Sequence, residues 1–346
     1  MFCFPYLYGC VKLKKMVYFC QQISYLKVIR MEYGDIAGLA RRIRENIEKV
    51  IVGKGEKIDL ILSAVIAGGH ILLEAVPGTG KTVLARSLAR SLQCGFSRLQ
   101  FTPDLLPADV TGMSVYQPAK GEFHFVPGPV FTNILLADEI NRATPRTQSA
   151  LLECMEEKQV TEGGVTRPLD APFFVIATQN PVETQGTFPL PEAQLDRFLI
   201  QLSMGYPEEE EALRIMERFI RSAPLNDLQP VAEKEELTEA QALFSSCEVS
   251  APIMRYIAAL CEETRNRERT MLGVSPRGML ALLRVSQAFA AVRGRAYVIP
   301  DDVKALAVPV MAHRVILRGL YGKAGENEAF IREILDKVPA PTEEVK

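Results

Sequence analysis

Apolar residues recur at Ile36, Leu39, Ala40, Ile43, Ile47 and Val50, the three-and-four spacing of a single helix face, and Asp35 just ahead of them is a suitable N-cap. Val50-Ile51-Val52-Gly53 breaks that helix, and a second is expected over 57–67, stopped by Gly68-Gly69. From there the pattern changes from a period to short β-prone runs. His70–Glu74, 134–137, 173–177 and 199–202 are mostly continuous in apolar character, as strands covered on both faces are, and Arg98-Leu99-Gln100-Phe101 reads as a further strand. Helical stretches alternate with them. One opens at Lys81-Thr82-Val83, and another has Thr144 as N-cap and Pro145 at its first position and runs through Leu151, Leu152 and Met155. Strands alternating with helices imply a five-stranded parallel sheet between helices, an α/β architecture.

Two stretches interrupt this alternation. Residues 102–133 carry Pro103, Pro107, Gly112, Pro118, Gly121, Pro127, Gly128 and Pro129, so they cannot form one regular helix and read as an insertion. Residues 159–168 are two β-prone arms about Gly163-Gly164, a hairpin signal. Past Tyr206-Pro207 the pattern becomes wholly helical, predicting a small all-α domain over 206–346 behind an αβα core over 31–205. Glu208 to Glu211 suit a helix start, and Glu210 with Arg214 and Glu217 with Arg221 have pairing distance along a helix. Residues 223–236, with Pro224 and Pro230, read as a loop. Further helices are expected over 251–265, 276–293 and 301–317, the last capped by Asp301 and kinked at Val308-Pro309.

A chain of 346 residues is long enough for two domains and a core that needs no covalent staples. Its seven cysteines are scattered, without a C-x-x-C pair, and there are three histidines, which argues against a disulfide framework or a zinc site. No apolar run approaches the ~18 residues of a membrane span. The expectation is a reduced, cytoplasmic protein. Residues 1–30 differ from the rest: five bases, no acid, three of the cysteines and seven aromatics. They read as a non-native or disordered extension, with Met31 as the functional initiator. Without them 35 basic groups face 42 acidic ones, a net charge of −7, which argues against a surface that wraps nucleic acid.

The chemistry is concentrated in two segments. Ala75-Val76-Pro77-Gly78-Thr79-Gly80-Lys81-Thr82 lies between an expected strand and an expected helix, the order that a phosphate cradle requires. Gly78 and Gly80 let backbone N–H groups close on phosphate, and the helix opening at Val83 adds its positive end. Lys81 supplies a cation, and Thr82 a hydroxyl for Mg²⁺. Ala75 stands where the usual pattern has glycine, a small-residue variant. Ile134-Leu135-Leu136-Ala137-Asp138-Glu139 is an apolar strand ending in two carboxylates. Asp138 is expected to hold Mg²⁺, directly or through water, and Glu139 to polarise the attacking water. The chain is therefore expected to bind and hydrolyse a nucleoside triphosphate.

Together these segments resemble the AAA+ ATPases, and within them the MoxR family. The resemblance spans residues 31 to about 340. It rests on four blocks in order: 74–82; Phe101-Thr102-Pro103-Asp104-Leu105-Leu106-Pro107; Asp138-Glu139-Ile140-Asn141-Arg142-Ala143; and Ala177-Thr178-Gln179-Asn180-Pro181 leading to Leu190-Pro191-Glu192-Ala193-Gln194-Leu195-Asp196-Arg197-Phe198. The resemblance implies ATP as the nucleotide, and a P-loop core with an insert in its second helix and a hairpin before sensor 1, followed by the helical lid. It implies that Asn180 is sensor 1, helping to place water; that Arg197 is the arginine finger, acting on the nucleotide of a neighbouring subunit; and that Arg277, in Ser275-Pro276-Arg277-Gly278, is sensor 2, carried by the lid and reaching the same nucleotide. Without the family, either arginine would more simply pair with a carboxylate or cap carbonyls. Arg142, Arg146 and His313 carry no assigned role. A hexameric ring, a protein client, a von Willebrand factor A-type partner and a chaperone function, with metal-cofactor insertion as one form of it, follow from the same resemblance. The alternatives are a nucleic-acid motor or helicase loader, a magnesium-chelatase-like motor subunit, and a nucleotide-binding scaffold without turnover.

Overall fold

In the computed structural model the described residues are 31–74, 76, 78–180, 186–221, 224–266, 268–319 and 325–342. The reading of residues 1–30 lies outside them, as do Ala75 and Pro77 of the cradle and the side chain of Arg221. Helix α1 (Tyr33–Glu48) starts two residues before Asp35. Asp35 is not its N-cap: from inside the first turn its carboxylate accepts the Glu32 N–H at 2.7 Å, satisfying a donor that the helix leaves open. Helix α2 (Gly55–Ile66) follows.

The core then runs β1 (His70–Glu74), α3 (Lys81–Ser91), β2 (Phe96–Gln100), α4 (Pro107–Thr111), β3 (Gly112–Gln117), β4 (Glu122–Pro127), β5 (Ile134–Asp138), α5 (Pro145–Glu157), β6 (Gln159–Glu162), β7 (Val165–Pro168), β8 (Phe174–Gln179), α6 (Glu192–Leu195) and β9 (Phe198–Ser203). Five of these strands form one parallel sheet in the order β2-β5-β8-β1-β9, with Leu135 opposite Val175, Ile71 opposite Ile176, and His70 opposite Phe198. Successive side chains point to opposite faces. Ile71, Leu73, Ile134, Leu136, Phe174, Ile176, Ile200 and Leu202 pack with α1, α2 and α3; Leu72, Leu135, Ala137, Val175, Ala177 and Phe198 pack with α5 on the other side. Covering both faces explains the near-continuous apolar runs of the central β1, β5 and β8, while the edge strand β2 is only partly buried and contains Ser97, Arg98 and Gln100.

Residues 102–133 hold α4 and the antiparallel pair β3 and β4, and the arms at 159–168 pair as β6 and β7. The face of the first hairpin is open: Tyr116 and Phe123, with ring centroids 5.3 Å apart, are both exposed.

After β9 the chain is helical: α7 (Glu209–Arg221), α8 (Pro224–Asp227), α9 (Lys234–Leu243), α10 (Ala251–Glu263), α11 (Pro276–Val292), α12 (Pro300–Met311) and α13 (Glu326–Lys337). A short antiparallel pair, β10 (Thr270–Leu272) and β11 (Ile316–Leu317), lies among them. Four features of this region differ from the expectation. The stretch read as a loop contains α8 and the start of α9, because Glu236 caps the Glu233 N–H at 3.1 Å while Leu237 and Ala240 are buried. Asp302, not Asp301, caps α12, accepting the Ile299 N–H at 2.9 Å. Helix α12 stops at Met311 instead of running to 317: it contains Pro309 and passes into a 3₁₀ turn over Ala312–Arg314, whose buried Arg314 is drawn toward β9. Helix α13, which no expectation covered, packs Phe330, Ile331 and Ile334 into the same apolar cluster as α1, α2 and α11. Among the described residues, no helix is long and apolar enough to cross a membrane.

Candidate functional site

The C-terminal ends of β5, β8 and β1 lie side by side, and the cradle leaves β1 there. Gly78 and Gly80 have φ of +85° and +83°. A Cβ at Gly78 would meet nothing within 4 Å, so glycine is required for its backbone conformation and not for room. Thr79 Oγ1 donates to Val76 O at 3.0 Å, and the Leu84 N–H closes the first turn of α3 on Gly80 O at 2.8 Å. The N–H groups of Lys81, Thr82 and Val83 thus sit in the first turn, where a helix has no partner of its own for them. Lys81 is buried, its Nζ 3.9 Å from Asp138 Oδ1. Thr82 and Val83 are half-buried.

One hydroxyl sets both carboxylates. Thr178 Oγ1 donates to Asp138 Oδ1 at 2.7 Å and accepts the Glu139 N–H at 2.9 Å. Glu139 is in the left-handed region, φ +57°, a conformation costing a non-glycine residue about 1 kcal/mol or more and repaid by that bond. Its carboxylate turns toward β2, where Gln100 Nε2 donates to Oε2 at 2.8 Å and Arg142 pairs at 3.3 Å. Asp138 Oδ2 accepts two bonds from Arg98, at 2.7 and 3.2 Å. Asn180, just past β8, is buried. Lys81, Asp138, Glu139 and Asn180 therefore share one edge of the sheet.

Arg197 and Arg277 are at the other edge. Arg197 immediately precedes β9, whose first residue pairs with the first residue of β1, so it lies about 17 Å along the strands from the end that carries the cradle. Arg277 is in the first turn of α11, capped by Ser275, whose Oγ accepts the Gly278 N–H at 3.1 Å. Both arginines pair with Glu156 near the end of α5: Arg197 Nε to Oε2 at 3.1 Å, Arg277 Nη1 to Oε1 at 3.3 Å. The plain alternative, pairing with a carboxylate, thus holds for both within one chain. They border a cleft of about 660 Å³ between core and lid, also lined by Gly69, His70, Arg284 and Arg314. Asp196 ties the segment that carries Arg197 to the lid, accepting from Arg314 Nε at 2.6 Å and Ser275 Oγ at 3.1 Å. Arg314 also donates to Phe198 O at 2.6 Å, and burial lowers its pKa.

Two histidines are structural. The Val175 N–H donates to His70 Nδ1 at 3.0 Å, so the ring proton sits on Nε2 and donates to Met155 O at 3.0 Å. Burial, with Lys158 adding to it, pushes the His70 pKa from 6.5 down to about 4. The unfolded chain then takes up a proton near pH 6.5 that the folded chain refuses until about pH 4, so this stability is complete above 6.5 and is lost as pH falls, by about 3 kcal/mol in all. Unfolding free energy should therefore fall less steeply between pH 7 and 5 in His70→Gln than in the wild type, as urea titrations would show; equal slopes would reject the assignment. His313 is buried against Phe198 O at 3.2 Å, its pKa held well down by burial first. Burial also raises the thiols of Cys94, Cys154, Cys247 and Cys261 to about 11, 12, 11 and 11, which leaves them unreactive.

Arg98, Gln100, Thr178, Glu156, Asp196 and Arg314 were not assigned roles from the sequence. Thr178 and Gln100 acquire theirs through strand register, and Glu156 through the return of α5 to the far edge of the sheet.

Family models match in two places: the ATPase family associated with various cellular activities (AAA) over residues 70–200, and the AAA lid domain over residues 262–337. The uncharacterized protein YeaC of Bacillus subtilis is 48% identical over 310 residues, covering 89% of this chain and 97% of that one. Chaperone MoxR1 of Mycobacterium tuberculosis is 40% identical over 89% of this chain and 84% of its own length. A crystal structure of a candidate ATPase from Cytophaga hutchinsonii, 39% identical, superposes with a TM-score of 0.81 over 89% of this chain and 96% of that one.

Proposed function

Because the chain belongs to the MoxR family of AAA+ ATPases, we propose that it is a ring-forming chaperone of the cytoplasm whose ATP-hydrolysing site is complete only at the seam between two subunits. The observation that carries this reading is the separation of the two halves of the site. The phosphate cradle and both carboxylates lie at one sheet edge, and the two candidate phosphate-binding arginines lie at the other, turned toward Glu156. Subunits docked head to tail bring one edge against the other, and such a contact repeats into a ring when its rotation closes. A hexamer is the proposed size.

At that seam the N–H groups at the start of α3 and the Lys81 ammonium bind the triphosphate. Glu139 accepts a proton from the attacking water, and the Asn180 amide orients that water. Arg197 and Arg277 of the neighbouring copy meet the charge that develops on the transferred phosphoryl group. The donors present suit Mg²⁺, which favours a few hard oxygen ligands and keeps several waters: the Thr82 hydroxyl and the buried Asp138 carboxylate would hold it, Asp138 directly or through water. When bound, it neutralises charge on the phosphates.

Ser275 and Arg314 bind Asp196, so the lid is tied to the segment that carries Arg197. A change at the nucleotide is thereby passed to a neighbour's lid. The exposed apolar face of β3 and β4 is the proposed contact for a protein client, whose remodelling, including metal-cofactor insertion, hydrolysis would drive; a von Willebrand factor A-type protein is the proposed partner.

Specific ATPase activity should fall at least ~10-fold when the protein is diluted from assembled rings to monomers verified by sedimentation, since an arginine finger supplies roughly 10³- to 10⁵-fold in rate. Verified monomers hydrolysing ATP as fast as rings would overturn the seam.

A further inference from the structure

We propose that Glu156 is a positioning residue that holds Arg197 and Arg277 side by side for the triphosphate of the neighbouring subunit, an inference that rests on the seam reading. Two guanidinium groups repel one another when brought together, and the single carboxylate between them takes one on each oxygen, at 3.1 and 3.3 Å. Among the described residues it is the only anion with which either arginine pairs. Its contact with Arg197 is at Nε, on the flank of the guanidinium, which leaves the outer edge between the two terminal nitrogens for another anion; Arg277 is contacted through a single terminal nitrogen. Neither contact has to break for a phosphate to be bound.

The three carriers are anchored more firmly than the side chains themselves. Glu156 follows Met155, whose carbonyl is held by the buried His70. Arg197 follows Asp196, clamped by Arg314 and Ser275, and Ser275 also caps the helix that carries Arg277. The side chains of Glu156, Arg197 and Arg277 are 39%, 30% and 50% exposed, open to a docking neighbour. Surface pairs of this kind contribute little to stability, about 0–1 kcal/mol, so maintaining the fold does not account for the arrangement. Holding reacting groups in place does: displacement by about 1 Å can cost ~10²-fold in rate.

The test is a double-mutant cycle on assembled rings. In the otherwise wild-type protein, Glu156→Ala should lower kcat ~10-fold or more, leave the ATP KM within about 2-fold and leave the unfolding temperature unchanged; Glu156→Gln, which keeps an acceptor but not the charge, should fall between. On top of Arg197→Ala the same change should cost clearly less than it does in the wild type, because the part of its effect that passes through Arg197 is already lost and only the part through Arg277 remains. A Glu156→Ala protein with wild-type kcat overturns the proposal, and so does a loss that adds in full to that of Arg197→Ala. The seam reading is judged separately, on the dilution behaviour of the wild type: rings that lose activity on dilution while Glu156→Ala stays fully active would retain the seam and reject Glu156.

Discussion

Mixing Lys81→Ala subunits with Arg197→Ala subunits is expected to restore ATP hydrolysis that neither shows alone. Lys81→Ala removes the buried cation beside Asp138 and with it the hold on the phosphates, yet its Arg197 and Arg277 edge is intact. Arg197→Ala has the reverse defect: a whole cradle, Asp138, Glu139 and Asn180, but no finger to lend, and its rings should turn over ~10³-fold or more below wild type while still binding ATP. Where an Arg197→Ala subunit presents its cradle to a Lys81→Ala neighbour, every group is present. Random mixing makes such seams in about a quarter of positions in a head-to-tail ring. Steady-state ATPase on co-refolded mixtures, with mixed assembly confirmed by mass, checks this. No recovery in confirmed mixed rings would mean that Arg197 does not act across the seam.

Glu139→Gln should lower turnover about 10²- to 10⁴-fold, the range of a general base, while ATP stays bound and the ring assembled. The amide keeps the length of the side chain and can still accept from Gln100, and the left-handed backbone at 139 is held by Thr178, which the substitution does not touch. What is lost is a carboxylate able to take a proton from water. Single-turnover hydrolysis, with nucleotide retention measured on the same sample, separates chemistry from binding. Unchanged single-turnover rates would remove Glu139 from this role, and loss of bound ATP would make it a binding residue instead.

Much of the site was readable along the chain because local geometry makes it. A cradle needs glycine at 78 and 80 and a cation at 81 within one loop, and two carboxylates at 138 and 139 mark the end of a strand. The three central strands were readable for the same reason, since strands covered on both faces are apolar almost throughout, whereas the edge strands β2 and β9 carry polar residues among the apolar ones. Several ends were misplaced, as at Asp35, Asp301 and the 223–236 stretch. There a carboxylate reaches back by three residues to cap a helix, and helix starts are decided by which N–H finds a partner and not by the first apolar residue.

The linear order of residues determined that this chain is an α/β P-loop protein with a helical lid, and it named Lys81, Asp138, Glu139, Asn180, Arg197 and Arg277. Which of those six meet inside one molecule was decided only by the tertiary structure. Parallel strands put every strand end that follows β1, β5 and β8 at one edge and every residue that precedes β9 at the other, so register and direction, long-range properties of backbone pairing, part Arg197 from Lys81. The tertiary fold likewise sets Thr178 between the Asp138 carboxylate and the Glu139 N–H, and Glu156 between two arginines, contacts between segments tens of residues apart that no local spacing encodes.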